Sequence, residues 1–231
     1  MKVAVIQSNY IPWKGYFDII NDVDLFIFYD DVQYTKNDWR NRNQIKTHQG
    51  LEWLTIPVGE NIDRTIADVN IPTKYWQKKH WKSLQQNYSK APFFKKYQDF
   101  FEELYIGHKW HNLSDLNQFI IKYISTEFLG ITTTFDNSKN YHLDGKKLDK
   151  LLNLLQYVKA EEYVSGINAQ SYIEESVFSE LNIKLTYKDY SNYPKYNQLH
   201  TPFYHNVSIL DILFNCGPDA SHYIWGWRSN N

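Results

Sequence analysis

Residues 30–43, DDVQYTKNDWRNRN, set two adjacent carboxylates, Asp30 and Asp31, close to an indole and two guanidinium groups interleaved with carboxamides. Either carboxylate could act as a general base, taking a proton from an attacking amine or hydroxyl. The plainer alternative is that one caps a turn while the other binds Arg or solvent. Arg40 and Arg42 alternate with Asn41 and Asn43, and Lys46 follows. Guanidinium forks suit phosphates or carboxylates, and amides suit sugar hydroxyls. Trp39 offers a stacking face. The same alternation also fits the solvated face of an edge strand.

What these groups can do depends on the elements that hold them. KVAVIQ (2–7) and DLFIFYD (24–30) read as buried strands. Between them lies IPWKGYFDIIN, where Pro12 suits a first helical turn and Phe17, Ile19 and Ile20 form an apolar face. Strand, helix, strand with short loops is the signature of a parallel sheet with a right-handed crossover. NQIKTHQGLEWLTIPV (43–58) reads as a hairpin turning at His48-Gln49-Gly50, and IADVNIP (66–72) as a short strand stopped by Pro72. Apolar spacing predicts helix from Trp76 to Tyr105, broken at Ala91-Pro92, and again from Ser114 as N-cap to Leu129, stopped by Gly130. Strands at 131–136, 161–166 and 183–190 then alternate with helical stretches at 143–160 and 171–182. A last short helix follows Ser208, which with Asp211 fits a capping box, and Asn215 falls on the same face as Asp211. The expected fold is a single α/β domain over 1–231: a mainly parallel, open, Rossmann-like sheet flanked by helices. It carries a β-hairpin insertion and a helical lid or subdomain at 76–129.

In such a sheet, ligands bind beyond the carboxyl ends of the strands. Three polar stretches fall at such ends: Gln7-Ser8-Asn9-Tyr10, Asp30-Asp31-Val32-Gln33 and Ser165-Gly166-Ile167-Asn168. Parallel strands gather all three on one edge. Ser165-Gly166 either brings backbone amides to an anion or simply permits a tight turn. A late loop supplies Tyr196, Gln198, His200 and His205, any of which could reach a ligand.

Other reactive groups carry less. Cys216 sits beside a helix C-terminus, where the dipole disfavours thiolate, so a filler role is expected. His108 and His111 have metal-pair spacing but no carboxylate partner, and no metal is expected. His80 lies one turn from Trp76 and Leu84 and reads as packed.

Composition narrows the class. With 25 basic against 26 acidic residues, no global attraction to nucleic acid or an anionic membrane follows. A local basic patch for a tRNA-borne donor stays open. A single cysteine excludes an intramolecular disulfide. No apolar run nears the ~20 residues that span a bilayer, and the first residues read as a strand, so no membrane insertion and a cytoplasmic location are expected.

The stretches VAVIQSNYIPWKGYFD (3–18), FYDDVQYTKNDWRNRNQIKT (28–47), LTIPV (54–58), YVSGINAQSYI (163–173) and SILDILFNCG (208–217) resemble the WbqC-like family over nearly the whole chain. One departure is Ser8, where the resemblance leads one to expect Pro after the Gln. The resemblance implies work on an activated sugar for O-antigen, lipopolysaccharide or other surface glycans. It carries over Gln7, Asn9, Tyr10, Trp13, Asp30, Asp31, Trp39, Arg40, Asn41, Arg42, Ser165 and Gly166 as candidate site residues. The reaction expected from it is N-acyl or aminoacyl transfer onto the amine of a nucleotide-linked amino sugar. The acyl group would come from a thioester on an acyl carrier protein or coenzyme A, with no bound cofactor. In that reading Arg40, Arg42 and Lys46 hold a diphosphate, Trp13 or Trp39 stacks, and Asp30 or Asp31 is the catalytic base. A glycosyltransferase using a nucleotide-sugar, with Asp30-Asp31 on a cation, is the alternative, although the usual spaced D-x-D is absent. A non-catalytic binding protein of a glycan assembly complex is the third.

Overall fold

A computed structural model describes residues 1–145, 147–167, 170 and 174–230, with the side chains of Ser229 and Asn230 outside that set. The first apolar runs form β1 (Lys2–Ile6) and β2 (Leu25–Phe28), and the hairpin is β3 (Arg42–Thr47) with β4 (Gly50–Thr55). Gly50 takes φ +118° after the turn, a region that only glycine enters without strain. Later strands are β5 (Thr134–Asn137), β6 (Glu162–Gly166) and β7 (Lys184–Lys188). The main sheet runs β5-β2-β1-β6-β7, parallel throughout, while β3 and β4 pair antiparallel on their own. From β1 the chain builds outward through β2 to β5, then returns to the other side of β1 with β6. The junction of β1 and β6 is therefore the switch point, where adjacent loops leave in opposite directions and open a crevice.

Alternation along the central strands sends Ala4, Phe26 and Phe28 to one face and Val3, Val5, Leu25 and Ile27 to the other. The first face is covered by α1 (Lys14–Asn21), α2 (Tyr75–Tyr88), α3 (Phe94–Glu102), α4 (Leu113–Tyr123) and, later in the chain, α7 (Ile209–Cys216). The second is covered by α5 (Leu148–Tyr157) and α6 (Glu175–Glu180). Helices α2 to α4 share one buried cluster with the sheet and α7. Asn168 and residues 171–173 of the stretches read above lie outside the described residues.

Three local readings change. Residues 66–72 form no strand: Thr65 donates to Asp68 (2.6 Å) and closes a short 3-10 turn at Ile66–Asp68, leaving only an isolated Asn70–Asn112 bridge. The N-cap of α4 is Asn112, whose side chain accepts from Asp115 N (3.0 Å), because Ser114 is turned inward to another partner. Ser208 does cap α7, accepting from Leu210 N, but no capping box forms. The Asp211 carboxylate instead accepts from Tyr88, Tyr196 and Gln198 at 2.8–2.9 Å.

Two clamps fix the layers. Buried Asp18 on α1 holds both Arg228 nitrogens (2.8 Å) and Lys188 (2.9 Å), joining α1, β7 and the C-terminal segment. Phe93 N donates to Phe214 O (2.9 Å), and the Phe93 ring lies against Gly217, which ends α7 at φ +56°. A methyl at Gly217 would overlap that ring in a backbone region disfavoured for side chains. Gly217→Ala should therefore destabilise the fold by about 3 kcal/mol, read as a lowered urea midpoint.

Candidate functional site

A cleft of about 1260 Å³ opens at the carboxyl ends of β1 and β6. Its floor is Ile6, Gln7, Ser165 and Gly166; Pro12, Trp13 and Tyr16 border it from the start of α1, and Lys147, Leu148 and Leu151 from the start of α5. The remaining wall is Trp39, Arg40, Asn43 and Gln44, with Tyr190 and Asn206 from the late loops. The indole of Trp13 meets Tyr190 edge-on at 5.1 Å. It also lies across Gly15, where any Cβ would collide with the ring, so glycine is what lets the indole lie there.

Arg40 is oriented by Asn9 Oδ1 (3.2 Å) and by Asp38 (3.4 Å). Its Nε and the Tyr29 hydroxyl, both on the cleft wall, are shielded from solvent and lack a hydrogen-bond partner among the described residues. Shielded donors without partners are uncommon and mark places where a ligand oxygen fits. Burial raises Tyr16, Tyr29 and Tyr190 well above the ordinary phenol range, so all three stay neutral donors. Trp39 is 43% exposed at the rim, tilted against Trp53 at 5.5 Å.

The candidates from the sequence divide into two groups. Gln7, Asn9, Trp13, Trp39, Arg40, Ser165 and Gly166 line the cleft. Asp30, Asp31, Tyr10, Asn41, Arg42 and Lys46 do not. Asp30 is fully buried and accepts from Ser8 N (2.7 Å), Gln118 Nε2 (3.0 Å) and Ser114 Oγ. A carboxylate so engaged positions the strand ends, and it does not line the cleft. Asp31 binds Lys150 (2.6 Å) and Ser138. Asn41 holds Ile56 O, and Arg42 stacks its guanidinium 4.3 Å above Trp53. Lys46 is buried with its ammonium over the Tyr204 ring.

Tyr10 is also interior. His80 Nε2 faces the Thr55 carbonyl, so it donates and Nδ1 must accept from Tyr10 (2.8 Å); Tyr105 in turn donates to Tyr10 (2.6 Å). Burial lowers His80 to about 4, keeping it neutral. Burial likewise pushes the Cys216 thiol up to about 12, as suits a filler.

Lining residues not singled out from the sequence are Tyr16, Tyr29, Gln44, Lys147, Leu148, Leu151, Tyr163, Tyr190 and Asn206 among others. Tyr29 and Tyr190 each follow the last residue of a parallel strand or nearly so, and the strand-end rule applied evenly would have found both. Asn206 carries no such signal. Among the described residues, no Asp, Glu, His or Cys belongs to the cleft lining. The wall thus offers two cations, several amides, phenols and two indoles, which suits binding and orientation of an anionic, hydroxyl-rich ligand.

Two outcomes follow from these bonds. Asp30→Ala leaves the Ser8, Ser114 and Gln118 donors without their acceptor and should cost about 3 kcal/mol or more in urea unfolding. His80 protonates near 6.5 when unfolded and only near 4 when folded. Its contribution is complete above pH 6.5 and is lost as pH falls towards 4, about 3 kcal/mol in all. Unfolding free energies across that range should fall by that much less in His80→Phe.

The WbqC-like protein family matches residues 7–223. A protein of Mycobacterium tuberculosis (strain ATCC 25618 / H37Rv), described as "Uncharacterized protein Rv1507c", is 48% identical over 225 residues, which is 96% of this chain and 97% of that protein. No solved structure gives a significant match.

Proposed function

We propose, from the premise that the chain belongs to the WbqC-like protein family, that it is a transferase acting on a nucleotide-linked amino sugar in the synthesis of O-antigen or another surface glycan. The observation that supports this most is the composition of the switch-point cleft. Arg40 and Lys147 suit phosphates, and the amides of Gln7, Asn9, Gln44 and Asn206 suit sugar hydroxyls. Trp13 and Trp39 suit the flat faces of a base or sugar.

The reaction is N-acyl or aminoacyl transfer. The sugar nitrogen attacks the carbonyl carbon of a thioester on coenzyme A or an acyl carrier protein. The carbon–sulfur bond breaks, the thiolate leaves, and the proton shed by nitrogen passes to sulfur or water. Neutral amines need little beyond alignment and a donor for the developing oxyanion. Ser165, a lining residue of the cleft, is the candidate for that donor. Asp30 acts here as a positioning residue. An aminoacyl group could equally arrive on tRNA through a local basic surface. The reading puts the reaction in the cytoplasm, and no helix among the described residues is long and apolar enough to cross a membrane. A glycosyltransferase holding a cation on Asp30 and Asp31 fits less well, since both carboxylates are already engaged by Ser8, Gln118 and Lys150.

Calorimetry with nucleotide-linked 4-amino sugars, with the bare nucleoside diphosphate as control, tests this. Micromolar binding that needs the sugar amine is expected, weakened about tenfold or more in Arg40→Ala. Arg42→Ala, stacked away on Trp53, should bind nearly as the parent does, and turnover should ignore a chelator. Absence of binding to every nucleotide-sugar offered would overturn the proposal.

A further inference from the structure

Outside the cleft, the interior holds two lysines that a folded chain has every reason to avoid. Lys14, at the start of α1, is 2% exposed, and Lys46, on β3, is 1% exposed. Neither ammonium has a hydrogen-bond partner among the described residues. Their near neighbours are rings: Lys14 Nζ lies 4.5 Å from the centre of Tyr193 and 5.5 Å from that of Tyr196, and Lys46 Nζ lies 4.4 Å from that of Tyr204. A ring face recovers only part of what an ammonium loses on leaving water.

The local carboxylates do not balance them. Asp18 is already held by Lys188 and Arg228. Asp211 attracts Lys14 but spends its oxygens on Tyr88, Tyr196 and Gln198. Asp18 and Asp211 act on Lys14 only through space, and neither ammonium has a salt-bridge partner among the described residues. His205 supplies no counter-charge: its Nδ1 is buried without a partner among the described residues, and burial, then the Lys14 charge, hold its pKa down.

One segment covers both lysines. Residues 193–207 bring Tyr193, Tyr196, Tyr204 and His205 over them, and no backbone-to-backbone hydrogen bond ties 193–207 to anything among the described residues. Side chains hold it: Tyr193 donates to Asp18 and Tyr196 to Asp211, while Gln198 donates to Asp211 and Tyr204 O and accepts from Tyr204 N. Such a segment can move without breaking any strand or helix ladder, although its buried rings must move with it. It also adjoins the cleft, because Trp13, Gln44 and Asn206 line the cleft and lie within two residues of Lys14, Lys46 and His205.

We propose that Lys14 and Lys46 form an anion subsite beneath residues 193–207, beside the cleft, and that it takes a phosphate group. Ammonium groups bind phosphate as point charges. The phosphate has two chemical sources, a nucleoside diphosphate or the phosphates of coenzyme A. The subsite stands on the buried charges alone and does not require the amino-sugar reading.

Thermal unfolding with inorganic pyrophosphate at millimolar concentration is the test, on the full chain and on Lys14→Met, Lys46→Met and Lys46→Gln. The parent melting temperature should rise by several degrees with pyrophosphate, and each lysine variant should lose most of that rise. Without ligand, the Met variants should melt at or above the parent temperature, because a buried unpaired charge is gone. Repeating the titration with coenzyme A and with a nucleoside diphosphate identifies the source as the one whose effect the variants lose. A rise kept in both Met variants but lost in Arg40→Ala assigns the anion to the cleft and overturns the subsite. So does no rise at all, while the amino-sugar reading is judged separately by its own calorimetry.

Discussion

One buried carboxylate sets the geometry on which the cleft depends. Asp30 ends β2, yet its oxygens bind the backbone of Ser8 just past β1 and the side chains of Ser114 and Gln118 on α4. Its own carbonyl accepts from Ala67 (2.8 Å), which fixes the loop opposite. A carboxylate sealed from water is tolerable only when donors surround it, and that demand couples two strand ends to a helix more than eighty residues away. With this knot tied, the turn at Gln7-Ser8-Asn9 has one path, and Asn9 arrives where it can orient Arg40.

Much of the architecture was legible because it depends on local periodicity. The βαβ start, the hairpin and the parallel strand ends follow from alternation, short loops and one turn glycine, and all appear as read. What was not legible depends on partners remote in sequence. Asp30 was a candidate base on the strength of its place at a strand end; its partners are the Ser8 backbone past β1 and Ser114 and Gln118 on α4. Asp211 had the spacing of a capping box, but Tyr88 and Tyr196 compete for it and win by offering buried hydroxyls. Arg40 and Arg42 alternate with Asn41 and Asn43 as an edge strand would, yet Arg42 stacks on an indole and the following Lys46 is enclosed by a late loop. Ser8 is instructive in the other direction. It stands where the family resemblance leads one to expect proline, and it uses the very N–H that proline lacks to bind Asp30.

The cleft wall is notable for what its chemistry asks of a ligand. Cations, amides and neutral phenols can hold, orient and polarise, and none of them takes a proton readily near neutrality. Reactions whose nucleophile arrives already competent are matched to such a wall, whereas alcohols awaiting deprotonation are not.

The sheet order also has a consequence in time. One half of the cleft floor is made by residues following β1 and the other by residues following β6, and these strands meet through pairings such as Lys2 with Glu162. The wall then waits for Tyr190 and Asn206. During synthesis the first strand must stay soluble through most of translation before its second neighbour exists. Closing so long a loop is slow, and the exposed edge of β1 is a hazard meanwhile. The cleft is therefore among the last parts to form on the ribosome, and a nascent chain stopped early is not a weak version of this protein but one with no cleft.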